Sequence, residues 1–370
     1  MQRRPANVGD PAEAIETPAL IVDLGALEAN LGRMAAAVSA RGMRLRPHAK
    51  SHKCPPLATL QMARGAVGIC CQKTDEAAAF VDAGMNDVLV TNEVIAPAKL
   101  ARLAGLARHA RVGVLCDDAR AVAQISAAAV ACHVSIDVYV EVDVGAHRCG
   151  VAPGAPVAEL ASVIARAANL RFAGLQCYQG AAQHLRAPHA REAAIASATA
   201  AAITSRDACV ARGLDVAAIT GAGTGTFEHE MASGVFSELQ PGSYPFMDAD
   251  YACNEAAPGA LHFVQSLHVL TTVMSTPVRE RAICDAGLKS MSFDSGLPLV
   301  AARAGLSYIK ASDEHGVLQC DPAQAPAQWG ERLRLVPGHC DPTVNLYDWL
   351  VGLRGDRVEC VWPVARGTLG

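Results

Sequence analysis

The sequence predicts an α/β protein: a (β/α)8 TIM-like barrel followed by a mainly β C-terminal domain. Three observations lead there. Short β-branched runs alternate with Ala-rich amphipathic stretches over the first two-thirds of the chain, as βαβ units do. Those runs number eight, the count that closes a barrel. After Tyr251 the helical stretches disappear while the β-like runs continue.

The expected barrel strands are Met43–Lys50, Ala66–Gln72, Asp87–Glu93, Arg111–Asp118, Ile136–Val144, Arg171–Gly180, Val216–Gly225 and Glu238–Tyr244. Between them, Asp75–Ala83, Pro97–His109, Ala119–Ala131, Pro156–Ala168 and Arg191–Arg212 carry helical periodicity. An open doubly wound sheet is the alternative. It would usually open with a Gly-rich turn after its first strand, and none is present. One strand, Ala19–Leu24, with a helix from about Ala26 to Ala40, is surplus to an eight-stranded barrel. Phe263–Met274, Arg281–Asp285, Leu306–Ala311 and Arg332–Val336 read as strands of the second domain. The expected division is a barrel over 25–255 and a β domain over 256–370, with strand 12–24 joined to the latter.

Composition narrows the function classes. The 370 residues are 51% hydrophobic, with a net charge of −4. No basic stripe or basic patch interleaved with aromatics suggests a nucleic-acid partner. No run reaches the roughly 18 apolar residues that cross a bilayer. Met1–Asp10 holds Arg3 and Arg4 with no apolar stretch behind them, so it reads as a disordered lead-in rather than a secretory signal. Thirteen cysteines without a C-x-x-C pair fit free thiols in a reducing, cytoplasmic setting. Cys70 and Cys71, adjacent in one strand, should face opposite ways.

Barrel enzymes carry their chemistry at the C-terminal ends of the strands. Here those ends hold Arg46-Pro47-His48-Ala49-Lys50, Gln72, Thr91-Asn92-Glu93, Glu141 leading to Arg148, and Tyr178 with His184 six residues on. The last two ends are Gly-rich: Thr220-Gly221-Ala222-Gly223-Thr224-Gly225-Thr226 and Pro241-Gly242-Ser243-Tyr244. Glycines admit a close backbone approach, and N–H and hydroxyl groups donate, so these two turns form a candidate phosphate cup. They also fit plain tight turns. Lysine is scarce, six against 26 arginines, and Lys50 sits where an amine could bond a carbonyl inside the barrel mouth. Lys53 competes for that role, and a snorkelling surface cation is the bland alternative. In the second domain, His339 and Asp341 lie two apart and would project to one side of an extended segment. Imidazole plus carboxylate suits an open site for a divalent ion, or a hydrogen-bonded loop pair.

Together these segments resemble the family of D-threonine aldolases and metal-activated D-serine dehydratases, within the alanine-racemase-like (fold type III) pyridoxal-phosphate (PLP) enzymes. The resemblance runs along nearly the whole chain. It covers Thr17-Pro18-Ala19-Leu20, Arg46 to Pro55, Gly68 to Lys73, Glu141 to Gly145 and Arg148-Cys149-Gly150-Val151. It continues through Glu238 to Tyr244, Asp285 to Lys289, Asp313-Glu314-His315-Gly316 and His339-Cys340-Asp341.

The resemblance implies that Lys50 bonds the cofactor's aldehyde. It implies that Gly223, Thr224, Ser243 and Tyr244 hold its phosphate, and that Gln72, Arg148 and Tyr178 surround its ring. It assigns His339 and Asp341 to a divalent metal (Mn²⁺, Mg²⁺, Co²⁺ or Zn²⁺) and His184 as a base near the substrate hydroxyl. A homodimer is implied too. The expected reaction is cleavage of a D-β-hydroxy amino acid to glycine and an aldehyde. The alternatives are cleavage of 3-hydroxy-D-aspartate to glycine and glyoxylate, or dehydration of D-serine or D-3-hydroxyaspartate. Asp341 leans towards the aldolases, since the dehydratases often carry Cys there. Outside the enzyme class, a non-catalytic PLP carrier would lack the long β tail. A metal hydrolase barrel would lack the yellow colour of bound PLP.

Overall fold

The computed structural model describes residues 3–366. Its first sheet has eight parallel strands: β2 (Arg44–Leu45), β3 (Ile69–Cys71), β4 (Asp87–Glu93), β5 (Arg111–Cys116), β6 (Ile136–Glu141), β7 (Leu170–Gln176), β8 (Ile219–Gly221) and β9 (Glu238–Leu239). They follow in the order β2-β9-β8-β7-β6-β5-β4-β3, and a parallel bridge between His48 and Cys70 joins the two ends. The sheet is therefore a closed barrel, with every expected strand present. Helices Thr74–Asp82, Pro97–Leu106, Ala119–Cys132, Ala155–Arg166 and Pro188–Val210 supply crossovers where helical periodicity was read.

The strands read as continuous apolar runs because both faces are covered. Cys70, Leu89, Leu115, Tyr139, Ala173 and Ala218 pack together as one layer inside the barrel. Cys71, Val88, Val90, Val114 and Val138 belong instead to the main core, which includes Leu100, Leu103 and Ile125 of the outer helices. Cys70 and Cys71 do face opposite ways. All thirteen cysteines are free thiols.

A buried ion network spans the barrel. Arg46 Nε donates to Glu238 Oε1 at 2.9 Å and Arg46 Nη1 to Asp87 Oδ1 at 2.6 Å. Gly68 makes room for this guanidinium: a Cβ there would stand 2.2 Å from Arg46 Nη1.

The second sheet is mainly antiparallel. Its strands are β1 (Ala19–Asp23), β10 (Leu267–Val278), β11 (Arg281–Cys284), β12 (Leu299–Ala301), β13 (Leu306–Ala311), β14 (Gly316–Cys320), β15 (Arg332–Val336), β16 (Trp349–Arg354) and β17 (Arg357–Pro363). The main path is β13-β14-β11-β10-β1-β16-β17, with β15 on β10 and β12 on β15. Strand β1 is thus interior, antiparallel to β10 and parallel to β16. Leu20 and Val22 join the main core, while Ala19 and Ile21 pack with Leu270, Val351 and Val358. The next helix runs Leu24–Ala40 and starts where Asp23 Oδ1 accepts from Ala26 N at 2.9 Å, a side-chain N-cap.

Two expectations are corrected here. The lead-in is ordered over the described residues: Gly9 N donates to Val358 O at 2.8 Å, Val358 N to Asp10 O at 2.9 Å, and Ala6 is buried. Backbone pairing with β17 overrides the polar composition; Met1 and Gln2 lie outside the described residues. The first barrel strand stops at Leu45 rather than reaching Lys50. Pro47 has no N–H for the ladder, and the chain turns into a 3-10 helix over Ala49–Ser51.

Candidate active site

That early turn sets the position of Lys50. His48 precedes it as a cap: Lys50 N donates to His48 Nδ1 at 3.3 Å, and His48 Nε2 lies 2.8 Å from Thr91 Oγ1. Burial, then the charge of Lys50, hold His48 down at about 3. It is a neutral fixture, with Nδ1 accepting and Nε2 left to donate to Thr91.

Lys50 lines a cavity of about 110 Å³ at the barrel mouth. Gln72, Glu141, Arg148, Tyr178, Gly223, Thr224, Ser243 and Tyr251 line it too. Lys50 is the only lysine in that lining, which separates it from Lys53. Lys53 Nζ is turned to Asn345 Oδ1 at 2.7 Å and Glu76 Oε1 at 3.1 Å. A larger depression of about 560 Å³ adjoins and shares Thr224 and Tyr251, but it contains no lysine.

The expected residues fall into three groups. Around the cavity, Gln72 Nε2 donates to Thr91 O at 3.2 Å. The Arg148 guanidinium carbon stands 5.9 Å from the Tyr178 ring centroid, and its Nη2 is 3.6 Å from Glu141 Oε1. Burial first, then the neighbouring charge of Glu93, push Glu141 up to about 8.

At the Gly-rich turns, Ser243 N donates to Thr224 Oγ1 at 3.1 Å. A Cβ on Gly223 would meet Gln183 Oε1 at 2.3 Å, and one on Gly242 would meet His48 O at 3.1 Å. Tyr244 departs from its expected role as a side chain. Its phenol is buried in the core 5.7 Å from the Phe263 ring and accepts from Gln61 Nε2 at 3.2 Å. The large apolar ring gains more from the core than from a polar mouth.

From the second domain, Asp341 reaches the barrel: its Oδ2 forms an ion pair with Lys50 Nζ, and its Oδ1 accepts from Ser243 Oγ at 3.4 Å. Burial would raise the Asp341 carboxyl, but the Lys50 charge beside it holds it well below the usual carboxylate range. The expected extended segment is a helix start instead. His339 is the N-cap (φ −141°, ψ 124°) and Asp341 lies in the first turn of Cys340–Val344. His339 Nδ1 pairs with Asp294 Oδ2 at 2.7 Å.

His184 does not line the cavity. It sits at its rim on the 3-10 turn Ala181–His184, its ring 6.2 Å from that of Tyr251. Its Nδ1 meets Asp250 Oδ2 at 2.6 Å.

The residues present fit the implied groups. The mouth offers one lysine amine for a carbonyl. Gln176 Oε1, Gln240 Nε2 and Glu141 Oε2 are buried in residues lining it and have no hydrogen-bond partner among the described residues. His339 and Asp341 offer an imidazole nitrogen and a carboxylate oxygen, a donor set for hard-to-borderline divalent ions. With Nδ1 held by Asp294, His339 keeps Nε2 as the donor, an orienting arrangement common around metals.

Tyr251, Asp250 and Asp294 were not singled out in the sequence. Asp250 and Tyr251 lie in the one-turn helix Ala249–Ala252 and Asp294 in a turn, segments too short to show periodicity. Their only signal is that each faces a residue that was singled out.

Comparison with known proteins follows the same outline. The alanine racemase N-terminal domain model matches residues 22–250, which puts the chain in the alanine-racemase-like class. The putative serine dehydratase domain model matches residues 266–353. A D-threonine aldolase of Arthrobacter sp is 48% identical, over 98% of this chain and 96% of its own length. A 3-hydroxy-D-aspartate aldolase of Paracoccus denitrificans (strain Pd 1222) is 47% identical, over 98% of this chain and 95% of its own. The crystal structure of D-threonine aldolase from Filomicrobium marinum superimposes with a TM-score of 0.97 at 47% identity, covering 99% of this chain and 100% of that one. The chain belongs to the D-threonine aldolase family of alanine-racemase-like proteins.

Proposed function

We propose that the protein is a PLP- and divalent-metal-dependent aldehyde-lyase that cleaves a D-β-hydroxy amino acid of the D-threonine type to glycine and an aldehyde. The observation that carries this reading is the meeting of Lys50, from the barrel, with Asp341, from the His339–Asp341 segment, at one cavity. Similarity to aldolases at 48% and 47% identity supports carbon–carbon cleavage over dehydration.

Bound PLP would supply an electron sink for charge developing at the substrate Cα, and a metal would supply Lewis acidity towards the β-hydroxyl. Lys50 would anchor the cofactor. Gly223, Thr224, Ser243 and the Tyr244 backbone would hold its phosphate, and Gln72, Arg148 and Tyr178 would bracket its ring. His339 and Asp341 would hold the metal; Mn²⁺, Mg²⁺, Co²⁺ and Zn²⁺ all suit the donor set.

The chain's own chemistry centres on one proton. Cleavage of Cα–Cβ requires the β-hydroxyl to lose its hydrogen. His184, at the rim, takes it on Nε2, because Nδ1 is committed to Asp250.

A homodimer and a cytoplasmic setting complete the proposal, consistent with the family and with thirteen free thiols. No helix among the described residues is long and apolar enough to cross a membrane. Pairing of β1 with β10 and β16 supports a division near residue 255, with strand 12–24 assigned to the β unit.

Incubation with PLP, Mn²⁺ and D-threonine, D-serine or 3-hydroxy-D-aspartate, with products identified by mass spectrometry, tests the reading. Glycine with acetaldehyde or glyoxylate is expected, and the faster substrate names the class. A keto acid and ammonia without glycine would overturn it in favour of dehydration.

A further inference from the structure

We infer that Asp250 is the positioning residue of the base. It fixes His184 in the tautomer with hydrogen on Nδ1 and the Nε2 lone pair free, and Arg186 holds Asp250 in the orientation that does so. The inference rests on His184 acting as base. The geometry is a chain of three charged or polar side chains. His184 Nδ1 lies 2.6 Å from Asp250 Oδ2. The other oxygen, Oδ1, accepts from Arg186 Nη2. Arg186 Nη1 donates to the Asp250 carbonyl at 2.7 Å and to Asn254 Oδ1 at 2.8 Å, so the guanidinium cannot swing away without losing several bonds.

His184 itself is about half exposed, with side-chain exposure of 52%, whereas the Asp250 side chain is at 8%. A rim imidazole with no such partner would sample both tautomers and several rotamers. The buried carboxylate selects one of each. Burial would raise Asp250, but the hydrogen bonds from Arg186 and His184 keep it below the usual carboxylate range, so it stays an acceptor.

The same turn grips the other half of the site. Ala249 N donates to Pro337 O at 3.0 Å, Asp250 N to Gly338 O at 3.1 Å, and Cys340 N to Asp248 Oδ2 at 2.9 Å. Residues 248–251 therefore set the base, Tyr251 of the cavity wall and the His339–Asp341 segment in one frame.

Asp250→Asn is the informative change because of Arg186. The guanidinium can only donate, so it draws the new amide's oxygen and turns the NH2 towards His184 Nδ1. That nitrogen must then accept, and the hydrogen moves to Nε2, where a base needs its lone pair.

The test is a double-mutant cycle on holoenzyme, with Asp250→Asn, His184→Ala and the pair, reading kcat and KM for the preferred substrate. The expected result is a kcat loss of roughly tenfold or more for Asp250→Asn, on the scale of other orienting partners. KM should stay within about twofold, and no further loss should appear in the His184→Ala background. Arg186→Gln, run in the same cycle, should lose less, and its loss should also vanish without His184. It carries the test alone if Asp250→Asn does not fold. Losses that multiply with His184→Ala, or wild-type turnover of Asp250→Asn, overturn the inference and leave the base reading standing. Wild-type turnover of His184→Ala overturns the base reading and the inference with it. Nitrogen NMR of labelled histidine gives a check independent of turnover: Asp250→Asn should move the His184 hydrogen from Nδ1 to Nε2, and an unchanged tautomer overturns the mechanism.

Discussion

His48 and Lys50 stand two residues apart and meet opposite electrostatic fates. Burial keeps the imidazole neutral at about 3, while the Asp341 charge raises Lys50. Other buried groups set the pH dependence of stability. Burial pushes Glu230 up to about 7, and burial with Glu93 pushes Glu141 to about 8, against 4.5 unfolded. Folded, they keep protons that the unfolded chain has lost, so their contribution is whole below about 4.5 and disappears as pH rises through 7 to 8. Buried His52 and His268 are depressed to about 4 from 6.5. Their contribution is whole above 6.5 and is lost as pH falls towards 4. The two contributions oppose each other between about 4.5 and 6.5, so the melting temperature should change least there and fall as pH rises from 6.5 to 8. Glu230→Gln should flatten the alkaline side, and an unchanged profile between pH 5 and 9 would count against this account.

Among elements, the barrel strands are short, and their ends are held by charge as well as by ladder bonds. Arg46 reaches from the end of β2 to Glu238 on β9 and Asp87 on β4, at 5% side-chain exposure. Removing one partner of a buried ion pair leaves an uncompensated charge and costs about 3–5 kcal/mol. Arg46→Ala should lower stability by that order in denaturant titration. A change under 1 kcal/mol would mean water reaches the network. Arg46 lies four residues before Lys50, so turnover should fall as well.

For the molecule as a whole, the site exists only where the two sheets meet. Lys50 comes from the barrel mouth and Asp341 from the segment after β15, and Ala365 N donates to Lys53 O at 2.7 Å from beyond β17. A metal held by His339 and Asp341 would thus act on a substrate anchored in the barrel. Chelator treatment should abolish aldol cleavage, and Mn²⁺, Mg²⁺, Co²⁺ or Zn²⁺ should restore it to differing degrees. Full turnover after chelation, with metal content measured as nil, would remove the metal from the reaction.

By itself the sequence determined the barrel and the type of most elements, because period and β-branched runs are local properties. It also carried Lys50, since scarcity and position singled it out among six lysines. Strands β12, β14, β16 and β17 were not legible: β12 is three residues long and pairs with the distant β15, and in the others Gly316 and Gln319, Gly352, or Glu359 interrupt the apolar runs, although β14 and β16–β17 sit in local hairpins. Only the tertiary structure decided that Tyr244 turns its ring into the core, that Asp341 faces Lys50, and that Asp250 grips His184. The last two contacts span 291 and 66 residues. They arise from where crossovers deposit side chains in space, and a one-dimensional pattern holds no record of that.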